Sequence, residues 1–363
     1  MPGGFRVAII GGGYAGFELA KLLDPHLDVS LIEAREAFVH NVGAPRSVAE
    51  PGLIEQLVFP YDRLLKRGRV VRARVASVDA GGAVLTDGTR VDADAIVVAT
   101  GSSYAAPFKP QGDSTAEFVA ALHECAAQVA AAARIVIVGA GAVGVELAGE
   151  IKAIYRDKPV TLVSAPAQLF PMYRAELHAA LASRLAGLGV ELHLGQTANG
   201  LTRTDRPYQG EITLANGTRL AGLIFPAIGA RVTDSPAHAL PNAQRQPNGQ
   251  LQVDPWLRPS SLANIFAIGD LAATGEGMTV VSASRHAPWL AGTLRKLASG
   301  KALEALPAYK PWKVPPILIP LGPGSGASVL PLGARGMVVG DWLTGAIKGK
   351  KLFIPRYEKE FGQ

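Results

Sequence analysis

The chain of 363 residues contains one cysteine. Cys125 has no partner for an internal disulfide, and a CxxC redox pair or a cysteine metal cluster is excluded with it. No haem or iron–sulfur ligand set is present either, and no metal is expected. No apolar run is suited to crossing a bilayer. The best tract, Val314 to Gly333, carries Pro and Gly that would leave backbone groups unsatisfied in lipid. The apolar N-terminal stretch is interrupted at Gly11 to Gly13 and by Glu18, which argues against a signal peptide, and Pro2 stands where N-myristoylation needs glycine. A cytoplasmic protein, soluble or at the inner face of a membrane, is expected. Charged residues make up 18%, and the net +6 is not gathered into a basic stripe interleaved with aromatics, so no nucleic-acid partner is expected.

What the chain has is apolar residues, 48% of the total, enough for large cores in two to three domains of roughly 150 residues each. The organising stretch is Arg6 to Glu33. Val7 to Ile10 reads as a buried strand that breaks into Gly11, Gly12, Gly13, Tyr14, Ala15 and Gly16, opens a helix, and returns as a strand ending at Glu33. Gly11 permits the tight turn, Gly13 lets backbone approach a pyrophosphate, and Gly16 lets helix and strand pack closely. The helix start favours an anion, and Glu33 is placed to accept from a ribose hydroxyl pair. Ala34 and Arg35 follow the acid and are counted with this site.

Arg134 to Ser164 repeats the pattern, with Gly139, Gly141 and Gly144 before the helix and Val143 inside the turn. Two complete βαβ fingerprints are far more specific than one. The second copy ends at Ser164 where the first ends in an acid. A ribose 2′-phosphate is not repelled there, so NADH and NADPH are both allowed, with Arg174 a candidate helper. Glu146, on the first helical turn, is placed to face the nicotinamide end. Ala227 to Ala230, with Gly229, closes this second unit.

Between and after these copies lie further candidates. Ala37 to Glu50, with His40, Asn41 and Arg46, is expected as a loop over the strand ends. Val70 to Val78 and Ala83 to Leu85 read as strands with a turn at Asp87-Gly88, and Ala95 to Ser102 as an apolar strand ending in Thr100-Gly101. A strand ending at Gly269-Asp270 puts a carboxylate at the ligand edge, and a helix from Thr279 to Ala298 carries His286. In the C-terminal part, Trp312 to Gly324 reads as an apolar surface. Asp341 to Tyr357 places apolar residues beside Lys348, Lys350 and Lys351, a composition suited to an anionic bilayer.

Gly11 to Gly16, Ala99 to Gly101, Gly139 to Gly144 and Gly269-Asp270, in that order, resemble the two-dinucleotide-binding-domain flavoproteins. Within them, FVHNVGAPRSVAE, VGVELAGEIK and Ala308 to Pro311 (AYKP) resemble the ferroptosis suppressor protein family, homologues of apoptosis-inducing factor. The resemblance implies an α/β fold of two Rossmann-like three-layer domains, the second inserted in the first, plus a small C-terminal α+β segment. The expected parts are residues 1–106 with 243–300 for FAD, 107–242 for NAD(P)H, and 301–363 at the quinone side.

It further implies tightly bound FAD touched by Gly11 to Ala15, Arg46, Val75 and Asp270. NADH or NADPH would be co-substrate, with Glu146 at the nicotinamide, and His40 and His286 near the flavin and quinone entry complete the catalytic candidates. Two departures stand out: the animal members' myristoylation signal is missing, and Gly275 to Met278 replaces their Pro-Lys-Met. The expected activity is NAD(P)H:quinone oxidoreduction by a monomer or homodimer. The alternatives are a ferredoxin-type reductase and a slow redox-sensing interaction protein.

Overall fold

The computed structural model describes residues 4–232 and 235–363; the expectation attached to Pro2 lies outside them. Two sheets organise the molecule. The first runs Ile265–Ala267, Ala95–Val98, Arg6–Ile10, Asp28–Glu33, Arg69–Arg72, all parallel. Its strands are buried on both faces, which is why they read as unbroken apolar runs. Val7, Ile9, Val29 and Leu31 pack with Phe17, Leu23 and Leu290 from helices Tyr14–Leu23 and Val280–Ala298. Ala8, Ile10, Ile32 and Val98 face a three-stranded antiparallel sheet through Ala83, Leu85 and Val91. The predicted run Val70 to Val78 is therefore two strands: Arg69–Arg72 joins the parallel sheet, and Val75–Asp79 joins the antiparallel one.

The second sheet runs Val190–Leu194, Val160–Ser164, Ile135–Val138, Arg219–Pro226, Tyr208–Leu214, Ala198–Asn199, the first four parallel and the last two antiparallel. The hairpin turns at Asn216-Gly217, with Gly217 at φ +87° as such turns require. Helix Thr115–Ala131 is capped by Ser114, whose side chain accepts from the Glu117 N–H at 3.2 Å. Cys125 is buried in this helix, and burial pushes its thiol up to about 12, the inert thiol its apolar setting dictates.

Residues 37–50 are not an open loop. Ala37–Val39 pairs with Val58–Pro60, and a short helix, Ala44–Ser47, follows. Most of its side chains are buried, Asn41 and Val42 being half-buried and Glu50 exposed, because this segment lies between the two nucleotide units, where an unpaired backbone would be costly. The tract Val314 to Gly333 contains most of Trp312 to Gly324, expected as an apolar surface, and departs from that reading. It supplies strands Ile317–Pro320 and Gly326–Leu330, paired antiparallel, with Met337–Val339 added at the edge. Ile319, Leu321, Ala327 and Val329 are buried, so this is an inner wall and not an apolar surface. It packs closely on the second unit: a Cβ on Gly149 of helix Ala142–Ile154 would lie 2.5 Å from Leu321 Cα. Among the described residues, no helix is long and apolar enough to cross a membrane.

Candidate dinucleotide and acceptor cavity

The two glycine turns have the same construction. Gly11 sits at φ +101°, where a Cβ would lie 2.5 Å from the Ala99 carbonyl oxygen, and a Cβ on Gly16 would collide with the carbonyl of Gly11. Gly139, at φ +112°, stands in the same relation to Ala227, and Gly144 to Gly139. Only glycine tolerates both positions of each pair. Each following helix begins without a side-chain cap, at Gly13 and Gly141, and a Cβ at either point would meet open space. Free first-turn N–H groups, the positive end of a helix dipole and clear space before a glycine form a cradle that fits a dinucleotide pyrophosphate.

Both helix starts open on one cavity of about 820 Å³. Gly11, Gly12, Gly13, Tyr14, Ala15, Glu33, Arg35, Thr100, Gly101 and Asp270 line it from the first unit, and Val143 and Glu146 from the second. Trp312, Pro316, Ile317, Leu318, Ile319, Lys348, Phe353 and Tyr357 close it from the C-terminal segment. Gly16, Ala34, Arg46, Val75, His40, His286, Gly139, Gly141, Gly144, Ser164 and Gly229 do not line it. Gly16, Gly139 and Gly144 shape the turns from behind, and Ser164 is a buried strand end. Gly229 follows the second sheet at φ +106°, Ala34 lies between two lining residues, and Val75 pairs with Leu85 in the antiparallel sheet.

At the end of the first pair of strands, Glu33 accepts from the Gly12 N–H at 2.6 Å and the Arg35 N–H at 3.0 Å. Asp270 accepts from Ser102 Oγ at 2.5 Å and from Lys109 Nζ at 3.1 Å. Lys109 lies in the proline-rich crossing after residue 106, where no periodic or motif signal singles it out. Arg174 forms an ion pair with Glu176 and donates to the Gly336 carbonyl at 3.4 Å, and it does not line this cavity.

In the second unit Glu146 is buried, and its carboxylate accepts from Lys348 Nζ at 2.6 Å. Burial holds this carboxyl above the usual range, against the downward pull of the lysine. Lys348 is thus not one of the exposed interfacial lysines its neighbours suggest; Lys350 and Lys351 are exposed, while Lys348 is 8% exposed and also donates to the Leu318 carbonyl. Arg46 is likewise withdrawn: its guanidinium grips Glu150 through two bonds of 2.8 Å, both partners buried. That bidentate pair ties residues 37–50 to the second unit's helix, so the assignment of Arg46 to FAD gives way to a structural one.

The two histidines are held by protein on both ring nitrogens. His40 Nε2 donates to the Leu352 carbonyl at 2.6 Å, which leaves Nδ1 to accept from the Tyr14 hydroxyl at 2.9 Å. Burial, with Lys348 adding to it, lowers this imidazole to about 3 in spite of the Leu352 bond. His40 is a neutral strut. His286 Nδ1 accepts from the Gly269 N–H at 3.0 Å, and Nε2 faces Glu276 at 3.3 Å.

Glu276 lies in the segment that departs from the related family. Its buried carboxylate also accepts from Tyr309 Oη at 2.6 Å, the Trp312 N–H at 3.0 Å and Arg285 at 3.2 Å. Burial would raise it, but the bonds from His286, Trp312 and Tyr309 outweigh burial and hold it at about 2. This hub fixes the turn that presents Asp270.

Residues 5–287 match the family model described as pyridine nucleotide-disulphide oxidoreductase. The chain belongs to that family. It is 32% identical to apoptosis-inducing factor homolog B of Dictyostelium discoideum, over 97% of this chain and 95% of that one. Ferroptosis suppressor protein 1 of Xenopus tropicalis is 27% identical over 99% of this chain and 96% of its own. Among solved structures, the sulfide:quinone oxidoreductase of Aquifex aeolicus has a TM-score of 0.75 over 98% of this chain and 91% of its own; at 16% identity this shows the fold. The protein is an NAD(P)H-dependent FAD oxidoreductase. The disulphide of the family's description has no counterpart here, since the lone Cys125 is buried.

Proposed function

We propose that this family member is an NAD(P)H:quinone oxidoreductase, with FAD resident on the first glycine turn and reduced pyridine nucleotide exchanging at the second. The supporting observation is the composition of the shared cavity: two anion cradles open on it, and the C-terminal segment adds an apolar and aromatic stretch of wall, Trp312, Pro316 to Ile319 and Phe353. A flat, uncharged ring fits such a wall, whereas a protein shuttle needs no interior channel. Bound FAD would supply the redox chemistry, hydride acceptance from nicotinamide and electron transfer to the acceptor.

The chain's residues do the positioning. Gly12 and Gly13 present backbone to the pyrophosphate, and Glu33 accepts from the adenosine ribose. Asp270, balanced by Lys109, accepts from the ribityl chain. Glu146 and Lys348, a charge pair facing the same space, orient the nicotinamide end. Trp342, 80% exposed, Ile347, Lys350 and Lys351 are all exposed within residues 342–351, a composition suited to an anionic bilayer in which a quinone dissolves.

The test is an anaerobic titration of the yellow protein. NADH should bleach the flavin, and a short-chain benzoquinone should restore it within the assay time. Restoration by oxidised ferredoxin, with none by benzoquinone, would overturn the reading in favour of a ferredoxin-type reductase.

A further inference from the structure

Tyr357 is 1% exposed, yet it lines the cavity. Its ring is packed by Tyr14, Phe38 and His40 at centroid separations of 5.7, 5.3 and 4.4 Å. Among the described residues its hydroxyl has no hydrogen-bond partner. Among those residues no buried side-chain oxygen or nitrogen is both sealed from solvent and unpaired, so this hydroxyl reaches accessible space, and the space Tyr357 borders is the cavity. A phenol taken from water without a partner costs free energy that a bound acceptor atom would recover.

The position of that hydroxyl is set by strain and packing. Leu352 and Phe353, neither of them glycine, lie at φ +49° and +61°. Two consecutive left-handed residues are costly unless the surroundings hold them. Here the hold is the bond from His40 to the Leu352 carbonyl at 2.6 Å. The turn sends helix Ile354–Phe361 back over the first unit, where Phe361, one turn beyond Tyr357, anchors against Phe17 and Phe38. Burial keeps the phenol above its ordinary range, so it stays a donor. Two other donors on this wall are already committed: Lys348 to Glu146 and the Leu318 carbonyl, and Arg356 to Glu18 at 3.4 Å.

A quinone ring offers only acceptors, two carbonyl oxygens on an apolar plane. We propose that Tyr357 donates a hydrogen bond to a carbonyl oxygen of the quinone, orienting the ring and stabilising the negative charge that grows on that oxygen during reduction. This rests on the quinone reading above.

The experiment is Tyr357→Phe in the FAD-loaded enzyme, with NADH reduction and reoxidation followed separately by flavin absorbance. FAD content, melting temperature, the rate of NADH reduction and reoxidation by ferricyanide, which needs no donor, should match the wild type. Reoxidation by a short-chain benzoquinone should slow about tenfold to hundredfold, the value of one hydrogen bond to a developing charge. Binding of the corresponding hydroquinone to oxidised enzyme, read from flavin absorbance, should weaken about tenfold.

Equal quinone reoxidation in the variant and an active wild type would overturn the assignment of Tyr357. Loss of FAD from the variant would overturn it too, by showing that the hydroxyl serves the flavin. A wild type that benzoquinone fails to reoxidise would overturn the parent reading, and this one with it, a result distinct from either.

Discussion

The two glycine turns share one backbone design and differ in what surrounds them. At the first, the strand ends in Glu33, whose carboxylate already holds the turn through Gly12 at 2.6 Å, and a cluster of buried rings, Phe17, Phe38, Phe59, Tyr357 and Phe361, closes behind the helix. At the second, the strand ends in Ser164, no acid stands by, and the helix instead carries Glu146 toward the cavity. A turn whose acid and ring cluster come preorganised suits a dinucleotide that stays. The other turn, with a neutral strand end and one charge pair supplied by a distant segment, suits a dinucleotide that comes and goes. The two cradles are built alike, and their surroundings suit them to different jobs.

The most severe way to break this comparison is to fill each cradle in turn. Gly16→Val should leave a protein without bound flavin, because the side chain collides with the Gly11 carbonyl. Gly144→Val should leave the colour intact while weakening NADH binding by a hundredfold or more, about 3 kcal/mol. Flavin absorbance and NADH titration check both. Loss of flavin from Gly144→Val would mean that the turns do not divide the work.

Acid should act on the two units with opposite sign. Glu276, beside the first, is held at about 2 against an ordinary 4.5, so its contribution is complete above about pH 4.5 and lost as pH falls toward 2. The shift corresponds to at most about 3 kcal/mol. Glu146, beside the second, is held above its ordinary range, so protonation favours its folded form. Melting curves between pH 6 and pH 3 should show a steep loss in the wild type and a shallower one in Glu276→Gln; parallel curves would remove Glu276 from the acid response.

The smallest expected effect sharpens the contrast of strand ends. Ser164→Glu makes the second copy end as the first does, and should lower NADPH use relative to NADH about tenfold through repulsion of the 2′-phosphate. Steady-state kinetics with each nucleotide checks it, and an unchanged ratio would place the ribose away from residue 164.

Local pattern made much of this legible. The glycine turns, their flanking strands, the strand that ends at Gly269-Asp270 and the helix beginning at Val280 are each written in windows shorter than thirty residues, because backbone sterics and apolar periodicity act at that range. Asp270, Glu33 and Glu146 were placed at the cavity by the same logic. Arg46 and Val75 were not, because a resemblance names a residue type at a position and says nothing about which partner takes the side chain. Glu150, 104 residues from Arg46, takes it.

The amino-acid sequence by itself determined that two dinucleotide cradles form, that neither a disulfide nor a cysteine pair can relay electrons, and that an oxidoreductase scaffold follows. Only the tertiary structure decided which charges are neutralised and which polar groups are left facing the cavity. Lys348 reaches Glu146 across 202 residues, Glu276 gathers donors from two later segments, and a left-handed turn at Leu352 and Phe353 brings the Tyr357 ring to the cavity wall. The reason is that burial sets the energy of a charge or a hydroxyl, and burial is a property of segments packed together, which no single stretch of chain contains.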